Sequence, residues 1–141
     1  MKNRTVTVIG ATGFLGRHTV RALAPAGWHL KAASRHPARG FFLRPLGSVG
    51  QIELVKCDVT DADSVGAAIR GSDAAVNLTG ILFERGQSFE DVQAAGAANV
   101  AEAAAAAGIS ALVHVSAIGA DPHSDSAYAR TKAEGEEAVR R

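Results

Sequence analysis

Cysteine is all but absent from this chain of 141 residues. Cys57 stands alone, so no internal disulfide braces the fold, and such sparse usage fits a reducing compartment. Aromatic residues are few as well. Five Phe, one Trp and one Tyr do not supply the rings on which successive bases stack. Neither sign of charge dominates: 15 Lys and Arg against 14 Asp and Glu leave a formal net charge of +1. That balance gives no reason to expect nucleic acid or an anionic membrane as a partner. No stretch approaches the roughly 18 apolar residues of a spanning helix. Residues 1–4 run straight into a β-branched stretch, without room for a signal or transit peptide. Five histidines (His18, His29, His36, His114 and His123) show no ligand spacing, so no metal site is expected. What remains is a soluble chain, 47% apolar, long enough for one modest core and expected in the cytoplasm.

What is present is a regular alternation. Thr5–Ile9 reads as a buried strand because β-branched residues favour a pleated surface. Phe14–Ala26 follows as a helix, with Phe14, Leu15, Val20 and Leu23 expected on one buried face. Trp28–Ser34 is a second strand, ending in the turn Ser34-Arg35-His36-Pro37. Residues 38–50 are broken by Gly40, Pro45, Gly47 and Gly50 and predict a short helix or loop. Gln51–Cys57 is a third strand, and Thr60-Asp61-Ala62-Asp63 resembles a capping box that opens a helix to about Arg70. Ala74–Leu78 is a fourth strand, followed by a loop to Gln87. Ser88-Phe89-Glu90-Asp91 caps an Ala-rich helix that runs to Ala107 and covers the sheet. Ala111–Val115 is a fifth strand, and a last helix starts at about Ala127.

Strands separated by helical patterns, with no hairpin signal, imply parallel pairing through right-handed crossovers. The fold class is α/β, a doubly wound parallel sheet of about five strands in the order 3-2-1-4-5. Ligands of such sheets sit at the carboxyl ends of the strands. Gly10 to Gly16, Ser34-Arg35, Asp58, Asn77 to Gly80 and Ser116 all fall at those ends.

Gly10-Ala11-Thr12-Gly13-Phe14-Leu15-Gly16 has glycines three apart at the exit of the first strand. One glycine permits the tight turn, one lets backbone approach a pyrophosphate, and one lets helix pack on strand. The helix N-terminus then offers free N–H groups to phosphate. The alternative is a tight connection with no ligand. A dinucleotide fold that reads NAD commonly has an acid about 20 residues further on, bonded to the ribose 2′-hydroxyl. Ser34 and Arg35 stand there instead. A guanidinium pairs with a 2′-phosphate in forked geometry, so NADP(H) is expected over NAD(H), unless Arg35 is only a solvated charge. Asp58 either accepts from the adenine amine or serves the turn into the next helix. Cys57 reads as a small buried hydrophobe. Tyr128 and Lys132 lie at i and i+4 on one helix face, where a nearby ammonium favours the phenolate and so lowers a tyrosine's pKa. Such a pair suits proton exchange with a hydroxyl or carbonyl while hydride moves. Ser116 can bond the same oxygen. The alternative is a scaffold pair that positions the cofactor ribose without turnover.

These segments resemble the short-chain dehydrogenase/reductase superfamily in its extended or atypical branch: GATGFLG at 10–16, NLTG at 77–80 and YARTK at 128–132, in that order. Residues 76–82, 114–121 and 126–136 are similar to the branch that contains the nucleotide-binding accessory subunit of respiratory complex I. The resemblance implies that Gly10, Thr12, Gly13, Phe14, Leu15 and Gly16 border the pyrophosphate. It implies that Ser34 and Arg35 meet the 2′-phosphate, and that Asp58 and Val59 meet the adenine. Leu78, Thr79 and Gly80 would flank the cofactor, and Lys132 would meet the nicotinamide ribose. Tyr128 would be the general acid/base with Ser116 as its partner. Two departures stand out. Gln93 occupies a place where active members often carry Asn in a proton relay. Members of the branch are also much longer, with a substrate-binding part after the fifth helix. Residues 1–141 are therefore expected to be a nucleotide-binding domain without that part. The resemblance further implies a respiratory complex or a second copy as partner, with a peripheral position at the inner membrane through that partner. An exposed sheet edge beside the fifth strand is also expected.

Overall fold

A computed structural model describes residues 3–141, so the reading of residues 1–4 falls partly outside it. The elements are β1 (Thr5–Ile9), α1 (Phe14–Leu23), β2 (His29–Ser34), a 3₁₀ segment (Pro37–Leu46) and β3 (Ile52–Lys56). Then follow α2 (Ala62–Ile69), β4 (Ala74–Asn77), a π-helical segment (Glu90–Ala95) that runs into α3 (Gly96–Ala106), β5 (Ala111–His114) and α4 (Ala127–Arg140). All strand pairs are parallel, in the order β3-β2-β1-β4-β5. This is the doubly wound α/β sheet that the alternation implies, in the expected order.

β1 is central, paired to β2 on one side and β4 on the other, with Val8 level with Ala32 and Val76. Its residues are β-branched throughout, and from Val6 to Ile9 all are buried, on both faces of the strand. One core gathers Val8, Val20, Leu30, Leu43 and Ile52. A second gathers Ile9, Val65, Ile69, Val92 and Val100. Thr7 is the buried polar exception, and its hydroxyl is paired to Ala68 O at 3.1 Å and Ser72 Oγ at 2.7 Å. Strand order reverses between β1 and β4, so their carboxyl ends open the crevice where a ligand fits.

Several boundaries shift. α1 stops at Leu23, before Ala26, and Phe14 and Leu15 are exposed at its first turn; Gly16 and Val20 form its buried face. Apolar identity misled there because the first turn projects beyond the sheet. Trp28, Gln51, Cys57, Leu78 and Val115 lie just outside the strands they were assigned to. The broken stretch after β2 forms a 3₁₀ helix, with Gly40 and Leu43 inward at its three-residue period. α2 is capped by Asp61, whose carboxylate accepts from the N–H groups of Asp63 and Ser64. Thr60 instead donates to Asp58, so the capping box at Thr60 does not form. The Ala-rich helix does begin at Ser88, whose Oγ accepts from Asp91 N, but its first turns are π-helical.

Candidate dinucleotide site

The glycine turn carries a separate physical requirement at each end. Gly10 has φ of +85°, a conformation side chains disfavour, and a Cβ there would lie 3.3 Å from the Leu78 carbonyl carbon. Its N–H and that of Ala11 both donate to Ala33 O, at 3.0 and 3.2 Å, which ties the exit of β1 to β2. A Cβ at Gly16 would stand 2.6 Å from Ala11 Cα, and α1 packs on the turn only because none is present. Gly13 is the N-cap, extended and without a side-chain cap. The first N–H groups of α1 are thereby left available to an anion.

A cleft of about 220 Å³ opens over this turn. Gly10, Thr12, Gly13, Ser34, Arg35, Val59, Leu78, Thr79 and Gly80 all line it, so nine of the expected contact residues converge from four segments of chain. Within it, Ser34 Oγ and Thr79 Oγ1 are buried without a hydrogen-bond partner. Ser116 Oγ, past the end of β5, is orphaned in the same way. Buried hydroxyls without partners are uncommon in folded proteins. Here they point to a polar ligand that would complete them, and together with the glycine cradle they fit a dinucleotide. Arg35 is exposed at the cleft.

Asp58 lies outside the cleft lining. Its Oδ1 accepts from Thr60 N at 3.0 Å and Thr60 Oγ1 at 2.7 Å in the turn before α2. The Thr60 hydroxyl first, and then the Arg35 and Lys56 charges, hold its carboxyl below the usual range against the opposing effect of burial. Cys57 borders the cleft, and burial, with Asp58 and Asp61 beside it, pushes its thiol up to about 12. It stays protonated and unreactive. Phe14 and Leu15 are exposed and do not line the cleft.

The other half of the site sits between β4, β5 and α4. Lys132 is 4% exposed, and its Nζ donates to Val115 O at 3.1 Å. Burial lowers its basicity, partly opposed by Glu136. A Cβ on Gly80 would meet that Nζ at 3.6 Å, which places the ammonium directly behind the cleft wall. Tyr128 lies one turn earlier on α4, half-buried, with its ring edge-on to Phe89 at 5.9 Å between centroids. Asn77 links the strands. Its Oδ1 accepts from Thr79 N at 3.1 Å, which directs Nδ2 at His114 Nδ1, 3.2 Å away. The amide therefore donates, and His114 is neutral with its proton on Nε2.

Gln93 was noted in the sequence only as a departure. It is 2% exposed and acts as a bolt: Oε1 accepts from Ile81 N at 3.1 Å, and Nε2 donates to Thr131 Oγ1 at 2.9 Å. It joins the loop after β4 to the helix that carries Tyr128 and Lys132. The available signal was a lone amide between Val92 and Ala94 in an otherwise apolar run. Ile81 and Gln87, which also line the cleft, carried no such signal.

A family model described as NAD(P)H-binding matches residues 10–141. The mitochondrial 40 kDa subunit of NADH-ubiquinone oxidoreductase from Neurospora crassa is 37% identical over 137 residues, which cover 96% of this chain and 36% of that protein. Ceramide reductase from Caulobacter vibrioides is 38% identical over 136 residues, covering 96% of this chain and 41% of that protein. Among solved structures, a mutant uronate dehydrogenase from Agrobacterium tumefaciens complexed with NAD aligns with a TM-score of 0.76 at 30% identity, covering 99% of this chain and 56% of that one. The chain thus spans little more than a third of the length of the curated relatives it matches. By its glycine turn, its sheet order and these matches, the chain belongs to the NAD(P)H-binding Rossmann family of short-chain dehydrogenase/reductase-like proteins.

Proposed function

We propose that this chain binds NADP(H) in preference to NAD(H) and keeps it chiefly as a structural group, as the nucleotide-binding part of an accessory subunit of a respiratory NADH dehydrogenase. The observation that carries the reading is the set of partnerless buried hydroxyls, Ser34 and Thr79, beside Arg35 in a cleft over the glycine turn. In this reading the first turn of α1 takes the pyrophosphate. Arg35 and Ser34 take the 2′-phosphate, with no acid at that strand end to repel it. Lys132 orients the nicotinamide ribose from behind Gly80. Residues 1–141 correspond to the cofactor-binding part of the longer relatives. A respiratory complex at the inner membrane, or a second copy of the chain, is the partner proposed, reached from the cytoplasmic side.

Bound NADP(H) would supply a hydride donor or acceptor, and this supports a second reading: an NADP-dependent oxidoreductase or epimerase acting on a hydroxyl or carbonyl group. The observation in its favour is Tyr128 and Lys132 together on α4, with Ser116 Oγ unsatisfied at the end of β5. Tyr128 would exchange a proton with the substrate oxygen, and Ser116 would bond that oxygen. Gln93, already bonded at both ends of its amide, leaves the proton relay of active members unmatched.

The test is to purify the chain, extract any retained nucleotide, and titrate it with NADPH and NADH. Carbonyl substrates are then added, with Tyr128→Phe as control. Tighter NADPH that is never oxidised is the expected result. Equal or tighter NADH overturns the preference. Turnover that disappears in Tyr128→Phe establishes the second reading, and no binding of either nucleotide overturns both.

A further inference from the structure

The near-neutral total conceals a segregation of charge. Residues 1–52 contain eight Lys and Arg and no Asp or Glu; the first acid is Glu53. Residues 53–141 contain seven Lys and Arg against all 14 acids. Formal charges of +8 and −7 therefore combine to the +1 of the whole. An asymmetry of this kind signals an anionic partner for the basic part, which the total charge alone does not reveal.

The fold gathers four of those eight basic residues, Arg17, Arg21, Arg39 and Arg44, with apolar surface. On α1, Phe14, Arg17, His18 and Arg21 recur at helical spacing and form one exposed stripe. Phe14 is 76% exposed and meets His18 edge-on. In the 3₁₀ segment, the three-residue period that buries Gly40 and Leu43 turns Arg39, Phe41, Phe42 and Arg44 outward. Arg17 stacks over the Phe42 ring at 4.9 Å, and Arg44 over Phe41 at 5.0 Å. These contacts join the stripe and the segment into one face of exposed rings and guanidinium groups.

We infer that this face docks onto an anionic phospholipid surface. Basic and aromatic residues on one exposed face are the composition of interfacial binding, in which rings enter the headgroup region and cations meet lipid phosphate. Here the guanidinium heads of Arg17 and Arg44 lie over the Phe42 and Phe41 rings, which keeps charge and apolar surface together on one face. One face of each of those rings is covered by a guanidinium, which disfavours base stacking and so nucleic acid. Membrane contact of this kind requires no spanning segment, and among the described residues no helix is long and apolar enough to cross. None of these face residues lines the dinucleotide cleft, although Phe14 opens α1, the helix that Gly13 caps.

The experiment is co-sedimentation of the full chain with vesicles of phosphatidylcholine alone or of equimolar phosphatidylcholine and phosphatidylglycerol. Binding to the anionic vesicles only, weakened by salt, is expected. Arg39→Glu with Arg44→Glu lowers partition roughly 20-fold or more, at about fivefold per arginine near such a surface. Phe41→Ser lowers it with little change in salt dependence, and this variant decides the matter if the charge reversal does not fold. Arg85→Glu, the same change in the acidic part, has a far smaller effect. Thermal midpoints confirm that each variant is folded. Equal binding to neutral vesicles, no binding to either, or folded variants that bind like the parent would each overturn the inference. Retention of soluble heparin or polyglutamate with no partition to vesicles would also overturn it, assigning the face to a soluble polyanion.

Discussion

In the proposed binding mode, Arg35 is the side chain that separates NADPH from NADH. It stands at the end of β2, at the edge of the cleft, where an acid would bond a ribose hydroxyl. Arg35→Asp exchanges an attractive charge for a repulsive one. NADPH affinity then falls by roughly 10- to 100-fold, the range of a charge-assisted hydrogen bond, while NADH affinity holds or rises. Fluorescence titration of both nucleotides measures it, and parallel losses for the two would contradict the assignment. His114 gives a second test. Burial first, then the Lys132 charge, lowers its basicity below the ordinary 6.5, with Glu136 opposing. The unfolded chain therefore binds a proton that the folded chain refuses. No penalty exists above 6.5; it grows as pH falls below that value and levels off once the lowered folded value is passed. Protonation would also set two donors, His114 Nδ1 and Asn77 Nδ2, against each other. Urea denaturation at a series of pH values detects the slope, and His114→Gln removes it. Arg35 was legible as a residue type at a strand end. The state of His114 was not, because it depends on Asn77, 37 positions away.

At the level of elements, α4 reaches the site only because of what it lacks. A Cβ at Gly135 would overlap the Gln93 carbonyl oxygen and stand 3.2 Å from Ala97 Cβ. The close approach of α4 to the π-helical segment lets Gln93 bond Thr131. Gly135→Ala is expected to cost about 1–3 kcal/mol by overpacking, although alanine is the better helix former. A lowered midpoint in urea checks this. Looser nucleotide binding should accompany it, since Lys132 rides on the same helix. Helix existence was legible from spacing and from caps such as Ser88, whose Oγ accepts from Asp91 N. The π-helical opening turns were not, because they come from packing between helices rather than from local preference.

For the molecule as a whole, the sheet has an unprotected side. β5 pairs only with β4 among the described strands, and Val113 on it is 54% exposed. An open edge of this kind invites pairing with another chain. Val113→Lys is expected to reduce concentration-dependent association while leaving the unfolding free energy within about 0.5 kcal/mol of the parent, as for surface changes generally. Light scattering across a dilution series reads it; unchanged association would place the contact elsewhere.

The sequence by itself determined the alternation of strand and helix, the parallel order β3-β2-β1-β4-β5 and the position of the glycine turn. The alternation and the turn follow from local periodicity and turn chemistry; the strand order is what the resemblance to a dinucleotide-binding fold implies, since crossover handedness alone fits other orders too. Tertiary structure alone decided which polar groups were left without partners and which were joined. Ser34, Thr79 and Ser116 are ordinary serines and threonines in the sequence; folding buries them and denies them water. Gln93 becomes a bolt only when residues 38 apart meet, and Phe14, apolar in a helical pattern, is left in solvent. Burial and pairing are long-range properties, set by what the rest of the chain brings alongside.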